Sequence, residues 1–304
     1  MIRPAFRLLS RPARLTAAFG LALLTGLPAL ADDAKPAPDA SRIVSIGGAV
    51  TEIVYALGEE KRLVGRDSTS IYPAAAGSVP DVGYMRQLSA EGVLATNPTA
   101  ILAVEGSGPP EAVALLEKSG IAFLTVPETF DIEGIAAKVR AVGHFLGVDA
   151  KAEPLATRIE ADVTAAVEDA AKRPEAERRR VLFILSTQGG RVMASGTGTA
   201  ADAIITLAGA VNATPDFPGY KPLSDEAIIT AKPDVILMMD RGGDHGASNA
   251  ELLAHPAIKL TPAGDKAAII RMDGLHLLGF GPRTASAVRD LNAAIYEGQN
   301  HVAQ

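Results

Sequence analysis

Tyr84 and Arg86 sit one residue apart in the stretch VGYMRQLSAEG, Val82 to Gly92, directly after Pro80-Asp81. A phenol ordinarily titrates near 10, and a neighbouring cation favours its charged form. In an extended loop, side chains two positions apart point to the same side. Arg86 could then hydrogen-bond a Tyr84 oxygen that serves as an anionic donor. The plainer alternative is a half-buried loop tyrosine that covers the helix after it. Local residue types leave both open.

The carboxylate that follows, Glu91, has a counterpart. Leu88-Ser89-Ala90-Glu91, then Pro98 and Ile101-Leu102, is matched 135 positions later by Leu223-Ser224-Asp225-Glu226, Pro233 and Ile236-Leu237, with six of fifteen positions identical. Gly83-Tyr84 leads into the first copy and Gly219-Tyr220 into the second. In each copy serine is an N-cap candidate, glutamate falls in the first helical turn, and proline breaks the helix before a strand. An acid in that turn stabilises a helix by only about 0.3–1 kcal/mol. A matched pair, one in each half, has the further use of two-point docking to a two-fold symmetric partner. Two similar lobes leave a cleft between them, with corresponding loops facing each other.

Two more candidates come from Met238-Met239-Asp240-Arg241-Gly242-Gly243-Asp244-His245. Arg241 follows the carboxyl end of an expected strand, where open α/β sheets bind ligands. His245 is the one histidine placed near that cleft; His144, His255, His276 and His301 fall in helices, turns or the tail.

A reactive constellation for an enzyme is missing. No serine sits in a Gly-x-Ser-x-Gly elbow, although Ser107 and Ser195 each touch glycine. There is no HExxH and no P-loop. Gly196-Thr197-Gly198-Thr199-Ala200-Ala201 fits a loose dinucleotide fingerprint, but it lies deep in the second half and reads as a tight turn into a helix.

The elements that must position these residues alternate. RIVSI (42–46), AILAVE (100–105) and AFLTV (122–126) read as strands, and TEIVYALG, SAEGVLATN and PEAVALLEKSG as helices. The pattern restarts at VLFILS (181–186) and continues through DVILMMD (234–240) and AAIIRMD (267–273). Such alternation implies parallel sheets covered by helices. Between the halves, 152–173 contains no glycine and repeats Leu155, Ile159, Val163 and Val167 every four residues. That is one long amphipathic helix, ended near Pro174 and a charged run, EAERRR, that reads as a solvated turn. The expected fold is α/β: two Rossmann-like lobes with mainly parallel sheets, 42–150 and 175–304, joined by one interdomain α-helix, 151–174.

The first 31 residues stand apart. Four arginines, the apolar run Leu15–Leu27 and the small-x-small site Ala29-Leu30-Ala31 form the three-part pattern of a secretory signal, cut after Ala31. The run is shorter than the roughly 20 residues a spanning helix needs. Residues 32–41 read as a flexible lead-in. Without the leader arginines the chain carries 25 basic against 35 acidic side chains, a net charge near −10. That balance argues against nucleic acid, whose binding rests on neutralising phosphates. The absence of cysteine excludes a disulfide framework and thiolate chemistry.

RIVSIGGAVTEIVYALG, GYMRQLSAEGVL, GYKPLSDEAII and LLGFGPRT together resemble periplasmic haem-binding proteins of ABC haem importers. These belong to the wider group of substrate-binding proteins with a rigid interdomain helix, which also serves cobalamin and ferric siderophores. The resemblance covers nearly the whole chain after the leader. It implies a monomeric periplasmic binding protein, not an enzyme, that carries ferric haem b to an ABC permease dimer with its ATPase. Ferric iron is a hard cation suited to a phenolate oxygen, a known haem ligand. The resemblance therefore implies Tyr84 as iron ligand, with Arg86 as its partner or a propionate contact. Tyr220, Arg241 and His245 are further candidate haem contacts. It also implies Glu91 and Glu226 as the permease-docking pair, and only slight closure on the ligand. Some relatives add a histidine just after the first strand of the second lobe; Leu185-Ser186-Thr187-Gln188-Gly189-Gly190 has none here, which puts a second axial ligand or a stacked haem pair in doubt.

Overall fold

The computed structural model describes residues 35–240 and 247–298. The leader, the cleavage site after Ala31, Arg241, His245 and His301 lie outside the described residues.

The first sheet contains β1 (Ile43–Ile46), β2 (Leu63–Arg66), β3 (Ala100–Val104) and β4 (Ala122–Val126), in the order β2-β1-β3-β4. Every pairing in it is parallel. All five residues of β3 are buried, as continuous apolar runs require when helices cover both faces. The connecting helices are α1 (Gly48–Ala56), α2 (Ala90–Leu94), α3 (Pro110–Glu117) and α4 (Ile132–Phe145), and α5 (Asp149–Ala171) follows.

The second sheet contains β5 (Arg180–Ser186), β6 (Met193–Ser195), β7 (Val211–Asn212), β8 (Tyr220–Pro222), β9 (Val235–Asp240) and β10 (Ile269–Asp273). Its helices are α6 (Ala200–Leu207), α7 (Asp225–Ala231), α8 (Asn249–Ala254), α9 (Pro256–Lys259), α10 (Pro262–Asp265), α11 (Gly274–Leu278) and α12 (Thr284–Tyr296). Strands β7, β5, β9 and β10 are joined by parallel pairings, which repeats the order of the first sheet. Antiparallel β6 and β8 extend it on the β5 side. The α/β, two-lobed expectation therefore holds, with a wholly parallel first sheet and a mixed second one.

Helix α5 buries Ala152, Leu155, Ala156, Ile159, Val163, Ala166 and Ala170, so the four-residue stripe reaches the core, with Val167 only partly covered. At 23 residues it spans roughly 34 Å. Gly143 lets α4 approach it closely, since a Cβ there would lie 2.1 Å from that of Ala152. One continuous hydrophobic core includes residues of both sheets and of α5, from Ile43 and Leu102 through Ile159 to Phe183 and Leu291.

The lobes also meet directly. In α1, buried Glu52 receives two hydrogen bonds from Arg283, at 2.6 and 3.0 Å. In α4, fully buried Lys138 binds the Glu128 carboxylate at 2.5 Å and donates to the Phe280 carbonyl at 3.1 Å. Phe280 is held at φ 47° with its ring edge-on to Phe130, centroids 5.1 Å apart. LLGFGPRT, which carried part of the haem resemblance, thus builds the seam between lobes.

The arginine run after α5 is not merely solvated. Arg173 and Arg179 lie over the Tyr296 ring, at 3.7 and 5.7 Å from its centroid, and Arg180 donates to the carbonyls of Ala231 and Ala213.

Candidate functional site

The Tyr84 loop is built from its backbone outward. Gly83 takes φ 102°, a region that favours glycine. Its amide donates to Asp81 at 2.8 Å and its carbonyl accepts from the Ser68 amide at 2.9 Å. The Gln87 amide then donates to the Tyr84 carbonyl at 2.8 Å, closing a turn over 84–87. Gly108, from the loop after β3, braces that turn: its amide donates to the Met85 carbonyl at 2.9 Å and its carbonyl accepts from Leu88 at 2.8 Å. Val82 and Leu88 are buried at either end, while Tyr84 stays 43% exposed.

The turn overturns one premise. The chain is not extended here, so alternation does not place Arg86 beside Tyr84. The charge of Arg86 reaches Tyr220 and Glu128. Among the described residues Arg86 makes no hydrogen bond or ion pair.

Tyr220 opens β8 in the corresponding loop of the second lobe, after Gly219 at φ 72°. Its ring lies 6.4 Å from that of buried Phe183. Burial pushes its phenol above the usual value; Thr199, the positive charge of Arg86 and Ser195 pull the other way. Arg86 belongs to the first lobe, so its charge reaches across to the second here. Burial likewise raises the Glu128 carboxyl, against the opposing effect of Lys138, and nearby Glu105 adds to the rise. The Glu105 carboxylate accepts from the Glu128 amide at 3.2 Å. The charge of Arg86 thus reaches a phenol of the second lobe and the Glu128 carboxyl of its own.

The repeat extends into the backbone. Ser89 caps α2 by accepting from the Gly92 amide, and Ser224 caps α7 by accepting from Ala227, each at 3.2 Å. Glu91 and Glu226 are exposed in the first turns. The Glu226 carboxyl is held below the usual range by its own backbone amide and the Ser224 hydroxyl. Asn97 and Lys232, the residues before Pro98 and Pro233, both take left-handed conformations, φ 50° and 45°. Arg42 and Arg180, just before and at the start of the first strand of each lobe, both donate to carbonyls at the ends of these helices. Sequence reasoning missed this arginine pair, although both precede an apolar strand.

Two other features can be placed. The Gly196–Ala201 turn leads into α6 with Thr199 as N-cap, and the Gly198 amide already binds the chain's own Asp202 carboxylate at 3.1 Å. A phosphate would compete with that built-in anion. Residues 187–192 link antiparallel β5 and β6. Among the described residues no cluster of His, Asp and Glu is arranged to hold a bare metal ion.

The chain is similar to proteins of known structure and name. A haem-binding periplasmic protein, BhuT, solved with two haems, is 41% identical, covering 84% of this chain and 98% of that one with TM-score 0.79. The haem-binding RhuT from Roseiflexus sp. RS-1 is 38% identical, covering 85% and 99%, with TM-score 0.80. An uncharacterized ABC transporter substrate-binding lipoprotein of Bacillus subtilis, YvrC, is 28% identical over 66% of this chain and 63% of its own length. Vitamin B12-binding protein of Yersinia pestis is also 28% identical, over 67% and 71%. These are substrate-binding transport proteins rather than enzymes. Residues 43–274 match the family described as periplasmic binding protein, and with its two α/β lobes and duplicated loops the chain belongs to that family.

Proposed function

We propose that this protein captures ferric haem in the interlobe cleft and delivers it to an ABC permease. The observation that carries the reading is the Tyr84 turn. It presents a phenol that is 43% exposed on a backbone fixed by Gly83 and Gly108. A hard ferric ion favours such an oxygen, and coordination itself stabilises the phenolate. Haem-binding relatives at 41% and 38% identity over nearly their full lengths support haem rather than cobalamin or a siderophore.

Arg86, with no hydrogen bond or ion pair among the described residues, is assigned a haem propionate rather than the Tyr84 oxygen. Tyr220, whose phenol burial pushes above the usual value, is assigned a face-on contact and not the iron. Arg241 and His245 remain candidate contacts. Export with cleavage after Ala31 belongs to this reading, as do docking through Glu91 and Glu226 and a monomeric state with one helix tying residues 42–150 to 175–304.

The test is a hemin titration followed by absorbance. The parent should develop a Soret band with the charge-transfer bands of a ferric tyrosinate. Tyr84→Ala should lose those bands and bind hemin at least a hundredfold more weakly. Equal affinity and an unchanged spectrum in Tyr84→Ala would sink the assignment.

A further inference from the structure

Six large apolar side chains stand more than a third exposed among the described residues: Ile71, Tyr72, Tyr84, Leu115, Tyr220 and Leu260. Tyr84 and Tyr220 belong to the cleft already described. Ile71 and Tyr72, 52% and 45% exposed, lie in the loop after β2, which carries no sequence motif. Single exposed apolar residues are ordinary, but adjacent ones beside a cleft are a mark of a binding surface.

Three contacts fix where that loop lies. It leaves the carboxyl end of β2, the end of a parallel sheet at which ligand crevices form. The Ser68 amide donates to the Gly83 carbonyl at 2.9 Å, joining the loop to the residue before Tyr84. On its other side it meets the second lobe. Thr69 receives the Gly48 amide at 3.2 Å, and Gly48 lies so close to Leu275 that a Cβ would come within 2.4 Å of it. The loop is therefore held between the Tyr84 turn and the opposite lobe.

Tyr72 is also oriented from across the seam. The Arg283 guanidinium lies 3.7 Å from its ring centroid while bound to Glu52. A guanidinium fixed by a two-point carboxylate contact is a rigid plate for an aromatic ring. One ring face is thus taken, and the remainder of this half-exposed side chain is open.

We propose that Ile71 and Tyr72 form an apolar wall of the ligand site, set by Arg283 and Glu52, which takes the apolar edge of the macrocycle that Tyr84 anchors through its iron. This rests on the haem reading. Division of labour follows: Tyr84 supplies the metal bond, and Ile71 with Tyr72 supplies contact with vinyl and methyl groups. The loop then selects for the porphyrin edge, which a hard-metal ligand alone does not.

The test compares hemin with haematohemin, in which hydroxyethyl groups replace the vinyls, on the parent, Ile71→Ser/Tyr72→Ser and Ile71→Leu/Tyr72→Phe. Both positions are exposed, so the fold should tolerate the changes, and circular dichroism checks it. The serine variant should bind hemin about tenfold or more weakly, keep its tyrosinate charge-transfer bands, and lose the parent's preference for hemin over haematohemin. The Leu/Phe variant should behave as the parent. A serine variant with parental hemin affinity overturns this proposal alone, even if transport in cells is impaired. A parent that gives no Soret response overturns the haem reading and this proposal with it.

Discussion

Tyr84 and Tyr220 occupy corresponding loops, yet their surroundings make them chemically unequal. Burial raises the Tyr220 phenol, and burial with Glu60 does the same at Tyr55. The folded state holds those protons past the ordinary phenol range near pH 10. Their linked stability is present below that pH and lost as pH rises through the folded values. Alkaline titration of the five tyrosines by ultraviolet absorbance should show a late-titrating fraction that shrinks in Tyr220→Phe; an unchanged late fraction would contradict the placement. The same change should leave the tyrosinate bands of the hemin complex intact. At this scale sequence was a partial guide. The Gly-Tyr echo pointed to both phenols, and glycine was needed at both positive-φ positions. The turn at Arg86 was hidden, because it is braced by Gly108, a residue remote in sequence. Ile71 and Tyr72 had no signal at all, since an exposed loop has no periodicity to read.

Among the elements, the long apolar strands were legible because buried parallel strands read as unbroken Val, Ile and Leu runs. Helix α4 escaped notice although Ile135, Val139 and Val142 follow helical spacing; Gly134 and Gly143 inside it resemble punctuation. Strands β6, β7 and β8, two or three residues each, are too short for alternation to register. What α4 does for the fold lies in one side chain. Lys138 is wholly buried and its ammonium spans from Glu128 to the Phe280 carbonyl. Removing one partner of such a pair leaves the other without its counter-charge in the interior. Lys138→Met should therefore lower unfolding free energy by about 3 kcal/mol or more in urea titration. A loss below about 1 kcal/mol would mean that the ammonium is a passenger in a seam held by packing alone.

For the molecule as a whole, the duplication is the organising fact. Parallel order, capping serines, left-handed residues before proline and helix-capping arginines all recur, although few residues are identical. Sequence comparison of the halves exposed only the stretch from Gly-Tyr through Leu-Ser-x-Glu to Pro and Ile-Leu, because backbone geometry tolerates substitution: Asn97 and Lys232 adopt the same conformation with unlike side chains. Equivalent placement of Glu91 and Glu226 on exposed first turns supports two-point docking to a symmetric permease. Changing both to alanine should leave hemin affinity at the parental value and reduce uptake by reconstituted transporter at least tenfold, each single change having a smaller effect. Parental uptake in the double variant would remove docking from their role. The Glu52–Arg283 and Lys138–Phe280 ties, added to the stiffness of α5, argue for the slight closure that the resemblance implied.

Those ties also bear on how the chain is made. Glu52 and Lys138 are buried in the first lobe, but their partners Arg283 and the Phe280 carbonyl come near the end of the sequence. While synthesis runs from the amino terminus, an early first lobe would hold Glu52 without its Arg283 counter-charge, and Lys138 paired with Glu128 but lacking its second acceptor. The first half alone therefore lacks stabilising contacts that the whole chain supplies.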